Sequence, residues 1–90
     1  MPRLQSTSAY DKKLRKFAKK RPDLRNKYLR VLRLLEADPY HPSLKLHKLH
    51  GPLSHLYAVS INYQYRISLE FEIKEDYILL INIGSHEEVY

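Results

Sequence analysis

The chain has 90 residues, 43% of them apolar, and no cysteine. That sets an expectation of one folded domain over residues 1–90 and excludes a disulfide frame and thiol chemistry. The net charge of +6 is unevenly placed: residues 1–50 hold 14 Lys and Arg against 4 Asp and Glu, whereas residues 51–90 hold 2 against 6. A basic half of this kind attracts a polyanion or an acidic protein partner.

MPRLQSTSAY lacks the apolar core of a signal peptide, and no apolar run approaches the roughly 20 residues of a membrane span. A cytoplasmic protein with no membrane contact is the expectation. The segment PRLQS is a short strand candidate. Ser8 can cap a helix starting near Ala9, with Asp11 favourable in its first turn. Tyr10, Leu14, Phe17 and Ala18 fall on one stripe of that helix, and six Lys and Arg side chains cover the opposite side. Arg21-Pro22 ends it, because the residue before a proline avoids the α region. Pro22 then suits the first turn of a second helix. Its stripe is Leu24, Tyr28, Val31, Leu32 and Leu35, up to Asp38-Pro39.

YHPSLKLHKLHGPLSH is punctuated by prolines and a glycine, which predicts loop with a short extended piece. Beyond Gly51 the apolar period changes to two. LYAVSI is a strand, Asn62-Tyr63 its turn, and YRISLEFEI alternates Tyr65, Ile67, Leu69, Phe71 and Ile73 against Arg66, Ser68, Glu70 and Glu72. Lys74-Glu75-Asp76 turns the chain into YILLINIG. The expected fold is α+β: two N-terminal antiparallel helices packed on one face of a small antiparallel β-sheet, with a short C-terminal turn. The apolar face of the 65–73 strand must meet the helices, which leaves Arg66 on the open face. The same parity puts Asn82 opposite Leu79, Ile81 and Ile83.

Arg66 has two readings. It pairs across strands with Glu70 or Glu72, or it clamps phosphate, since guanidinium matches phosphate oxygens bidentately. His41, His47, His50 and His55 fall within fifteen residues, with Lys45 and Lys48 among them, and His86 stands four residues before Tyr90. Zinc fits poorly: there is no cysteine, no helical His pair of the usual spacing, and lysines oppose a cation. Cutting RNA through its 2′-hydroxyl fits better. It needs a base, an acid and cationic donors for the phosphorane, and histidine serves as either acid or base near neutral pH.

DPYHPSLKLHKLHGPLSH through INIGSHEEVY resembles the RelE/StbE (YafQ-like) branch of the RelE/ParE superfamily, toxins of bacterial type II toxin–antitoxin modules. The marks are His41-Pro42-Ser43-Leu44, His47-Lys48-Leu49 before Gly51, Tyr65-Arg66-Ile67, and Ile83-Gly84-Ser85-His86 with Val89-Tyr90. The resemblance spans about residues 2–90. It implies a cofactor-free, metal-independent endoribonuclease that cuts mRNA on the ribosome and is neutralised by a cognate antitoxin. By position, His86 and Tyr90 match the family's terminal catalytic pair, His47 a further catalytic histidine and Arg66 the transition-state arginine. Lys45, Lys48 and His50 would contact the RNA backbone. Gln64 departs from the acidic residue many relatives carry two before the arginine, and His50 stands where a lysine is common. A gyrase inhibitor of the ParE type and a plain nucleic-acid-binding module are the alternatives. Neither needs His47, His86 and Tyr90.

Overall fold

A computed structural model describes residues 3–72 and 74–90. β1 (Arg3–Ser6) leads into α1 (Ser8–Lys20), and a single 3₁₀ turn over Pro22–Leu24 connects it to α2 (Arg25–Ala37). After a loop with a 3₁₀ turn at Pro42–Leu44 come β2 (His47–Lys48), a further 3₁₀ turn at Gly51–Leu53, and β3 (Tyr57–Ser60). β4 (Tyr65–Glu72), β5 (Tyr77–Ser85) and the one-turn helix α3 (His86–Val89) complete the chain.

The cap of α1 is Thr7, not Ser8: its hydroxyl accepts the Tyr10 amide at 3.0 Å, and Ser6 Oγ donates to Asp11 at 2.7 Å. Of the predicted stripe, Tyr10 and Phe17 are buried, Leu14 is half-buried and Ala18 is exposed. Leu24, Tyr28, Val31 and Leu35 of the second stripe are all buried. The helices meet through the Phe17 and Tyr28 rings, 6.3 Å between centroids, and through the Tyr10 and Tyr28 hydroxyls, 2.8 Å apart. Burial, reinforced by the neighbouring Tyr28, pushes the Tyr10 phenol far above the ordinary tyrosine range; burial also raises Tyr28.

The sheet has the order β1-β5-β4-β3-β2 and is mixed, which corrects the expectation of an antiparallel sheet. β2 to β5 form the antiparallel meander, but β1 runs parallel to β5, with Leu4 opposite Ile78 and Ser6 opposite Leu80. The physical reason is the helical crossover. A strand that returns through helices to its sheet can lie parallel to a distant neighbour, and no local pattern in four residues reveals that. Pro2 and Ile73, expected in strands from the sequence, lie outside the described residues.

Helices and sheet enclose a core that includes Leu35, Leu44, Val59, Ile67, Leu69 and Ile78. The other face is not bare, as the open-face expectation had it. Leu49, Leu56 and Ala58 are buried there with Leu53 and Ile81 packed on them, so the segment around Gly51–Leu53 covers it. The parity of β5 is also corrected. A register break between Ser68 and Leu69 pairs Ser68 with Asn82 and Leu69 with Leu80. A bulge of this kind adds one residue to a strand and resets its alternation. Ile78, Leu80 and Ile83 therefore face the helices, and Ile81 joins the opposite cluster on the Asn82 side.

Candidate active site

The site forms where β2, the end of β5 and α3 converge. Lys45 has a left-handed backbone (φ 52°) that ends the 3₁₀ turn and leads the chain into β2. His47 Nδ1 lies 2.9 Å from the Lys45 carbonyl oxygen. A carbonyl only accepts, so Nδ1 carries the proton, and in the neutral ring Nε2 is then an acceptor. Nε2 meets the Tyr90 hydroxyl, which donates to it. The His47 and Tyr90 rings meet edge to face with centroids 5.5 Å apart, and the His86 ring lies 4.0 Å from Tyr90 on centroids. Three of the four predicted catalytic side chains thus form one cluster.

α3 is short and depends on its cap. Ser85 and Glu88 form a reciprocal capping box, with Glu88 Oε1 accepting the Ser85 amide at 2.9 Å. That bond, helped by the Ser85 hydroxyl and more weakly by Lys20 and Lys13, holds the Glu88 carboxyl below the ordinary glutamate range. Asn82 Nδ2 donates to the Glu88 carbonyl at 3.1 Å, and the His86 amide donates to the Gln64 carbonyl at 3.2 Å. Gly84 leaves room for this: a Cβ on it would stand 3.0 Å from Glu88 Cβ. The sequence places Asn82 on a face and Ser85 in the motif; what they do together with Glu88 depends on the chain folding back on itself. The Ser-x-x-Glu spacing 85–88 is the one local signal that announced it.

Arg66 stands apart from this cluster. Its Nη1 donates to the Asn62 carbonyl and, at 3.1 Å, to the Tyr65 carbonyl. It is neither an ion-pair partner of Glu70 nor of Glu72, since the ion pair formed among the described residues joins Arg21 to Asp23. Its register partner is Gly84, two residues before His86. Three of the five N–H donors of a guanidinium are not used by those two bonds. Gln64, at the departure from the family pattern, accepts from Arg21 Nη1 at 3.2 Å. Lys48 and His50 line a cavity of about 250 Å³ together with His47 and Tyr90. Lys45 contributes its carbonyl to His47, a backbone role the sequence did not suggest.

No protein-family model matches the sequence, and no curated protein matches it either. Solved structures do. YafQ from E. coli strain BL21(DE3) is similar over 100% of this chain and 99% of its own, with a TM-score of 0.80 and 15% identity. A YoeB/ParE toxin from Agrobacterium tumefaciens covers 93% of this chain and 98% of its own, at TM-score 0.78 and 14% identity. This chain has the fold of the RelE/ParE toxin superfamily. A metal-bound toxin from Helicobacter pylori, 26% identical, shares the RelE/ParE fold over the full length of both chains at TM-score 0.79. The resemblance seen in the sequence is borne out across the RelE/ParE fold from β1 to α3. No helix among the described residues is long and apolar enough to cross a membrane.

Proposed function

We propose that this protein is the toxin of a type II toxin–antitoxin module and cuts mRNA through the 2′-hydroxyl. The observation that carries the reading is the Lys45 carbonyl on His47 Nδ1, because it fixes the tautomer that makes Nε2 a proton acceptor. At rest Nε2 holds the Tyr90 hydroxyl. When RNA enters, His47 takes the proton of a 2′-hydroxyl, either directly or through Tyr90. The 2′-oxygen attacks the adjacent phosphorus, a 2′,3′-cyclic phosphate forms, and the bond to the 5′-oxygen breaks. His86, whose ring lies 4.0 Å from that of Tyr90 on centroids, protonates that leaving oxygen. Each such acid or base contributes about 10²–10⁴-fold. Arg66, anchored on two carbonyls through Nη1, offers its remaining donors to the phosphorane oxygens. Lys45, Lys48 and His50 hold the backbone on either side of the cut.

Acid, base and cationic donors are all side chains here, so the reaction as written needs no metal. The metal-bound H. pylori relative makes a chelator control necessary. Structures of the E. coli DinJ-YafQ toxin–antitoxin complex, one of them 19% identical to this chain over 99% of it, support an antitoxin as the neutralising partner. The basic α1 surface suits an acidic segment of such a partner. The test is primer extension on a reporter mRNA in a translating extract, with wild type, His86→Ala and Arg66→Ala side by side and with chelator present. Cuts within the reading frame that disappear in both variants are expected. Intact mRNA at an inhibitory dose of wild type would sink the reading and make a gyrase supercoiling assay the next step.

A further inference from the structure

On the helix-facing side of the sheet, away from the His47–Tyr90 cluster, four rings gather with no task in the chemistry above. Tyr40 and Phe71 are parallel within 7°, with centroids 6.4 Å apart, and Tyr57 meets Phe71 edge-on at 5.2 Å and 79°. With His55 they line a cavity of about 270 Å³. That falls just below the roughly 300–1,000 Å³ of small-molecule pockets, a size for one planar ring system. Tyr40 is 74% exposed, an unusual place for a large ring that serves only the core. Its backbone is nevertheless fixed: the Tyr40 amide donates to Asp38 Oδ1 at 3.0 Å, the His41 amide to the Asp38 carbonyl at 3.0 Å, and Pro39 and Pro42 stiffen the turn on both sides. With its backbone fixed and its ring parallel to that of Phe71, Tyr40 has less freedom to lose when a base stacks on it.

The sheet register connects this slot to the candidate active site. His47 pairs with Ala58 and Lys48 with Tyr57, so the two residues of β2 point to opposite faces. His47 belongs to the face of the catalytic cluster; Lys48 is the register partner of Tyr57, whose ring lines the slot, and also lines the cavity of His47 and Tyr90, so it stands at the sheet edge between the two. β2 is one of the two edge strands of the sheet.

We propose that the Tyr40–Phe71–Tyr57 slot is a second RNA subsite, in which one unpaired base flanking the cut stacks on the Tyr40 ring while its phosphate lies against Lys48 at the β2 edge. The base is recognised by its flat face, with the His55 ring at its edge. This rests on the nuclease reading for its position but not for its test. The substrate class is single-stranded RNA bent around β2, long enough to occupy both faces.

The experiment uses full-length protein and a short RNA with 2′-O-methyl groups at every sugar, which binds but lacks the nucleophile. Fluorescence anisotropy compares wild type, Tyr40→Ala and Tyr40→Phe, each with the intact oligomer and with a series carrying one abasic position. Stacking of a base on an aromatic ring is worth about 5–150-fold in affinity when removed by alanine. Tyr40→Ala is expected to weaken binding within that range and Tyr40→Phe to leave it nearly unchanged. One abasic position should lose the same factor in wild type and nothing further in Tyr40→Ala. Equal affinity of wild type and Tyr40→Ala overturns the subsite. So does additive loss at every abasic position, and so does a Tyr40→Ala effect confined to the antitoxin complex, which would make the slot a protein contact. Uncut mRNA with wild type in the primer-extension assay, alongside the expected stacking pattern here, would remove the nuclease and leave the subsite standing.

Discussion

Replacing Glu88 by alanine removes one half of the capping box that starts α3, while the Asn82 bond to the residue-88 carbonyl remains. α3 is four residues long, so its own hydrogen bonding cannot make up the loss. A lost cap bond typically costs about 1 kcal/mol. The exposed position of Glu88 argues for that figure rather than the larger values of buried charged pairs. One kcal/mol changes a local opening equilibrium about 5-fold. The Tyr90 amide, which donates to the His86 carbonyl at 3.0 Å, reports that opening through hydrogen exchange. At neutral pH its protection factor is expected to fall about 5-fold in Glu88→Ala. The Glu88 carboxyl is held below the ordinary glutamate range by the Ser85 amide. A depressed carboxyl stabilises fully above its unfolded pKa, about 4.3, and the gain is lost as pH falls through the folded value. Wild type and variant should therefore converge as pH falls below the ordinary glutamate value. Equal protection at neutral pH would refute the cap, and a difference that persists in acid would show that charge has no part in it.

Gly84→Ala places a Cβ 3.0 Å from Glu88 Cβ and 3.1 Å from its carboxyl carbon, so Glu88 must shift by a few tenths of an ångström and strain the cap; Tyr90 protection should drop in the same direction as in Glu88→Ala, and unchanged protection would contradict this. Tyr10→Phe leaves the Tyr28 hydroxyl without its 2.8 Å partner, and urea unfolding should show a loss of about 1–3 kcal/mol. The double change Tyr10→Phe/Tyr28→Phe should cost less than the two single ones added. Because the pair holds its protons more tightly when folded, its contribution persists below the ordinary tyrosine value of about 10 and is lost as pH rises above it. At Lys45, whose φ is 52°, glycine keeps the left-handed turn and valine strains it. Lys45→Val should therefore slow RNA cleavage more than Lys45→Gly; equal rates would mean the side-chain charge matters and the carbonyl on His47 does not.

Helices and the strand faces before the bulge were legible because each is a local period. Tyr10 and Phe17, or Ile67 and Leu69, report their side of the fold through spacing alone. The faces of Leu79 and Ile81 were not legible, since the bulge opposite Ser68 resets the alternation and nothing in YILLINIG marks it. β1 could be seen as a strand but not as a parallel one, because its partner lies more than seventy residues away. The candidate site divided the same way. His86 and Tyr90 were placed together by helical spacing, and His47 joined them through the resemblance. The Lys45 carbonyl, the Gln64 carbonyl under His86 and the folding back of Arg66 onto Asn62 and Tyr65 are backbone contacts, and side-chain identity says little about those.

The central claim is the 2′-hydroxyl route at His47, and the ends of the cut RNA test it most directly. Purified toxin, programmed ribosomes and an mRNA with one 2′-deoxy sugar at the mapped cut are incubated with and without that substitution. The account predicts fragments ending in a 2′,3′-cyclic phosphate and a 5′-hydroxyl, and no cut at the deoxy position. Fragments with a 3′-hydroxyl and a 5′-phosphate, or a cut that survives the deoxy sugar, would mean that water attacks and that His47 is not its base.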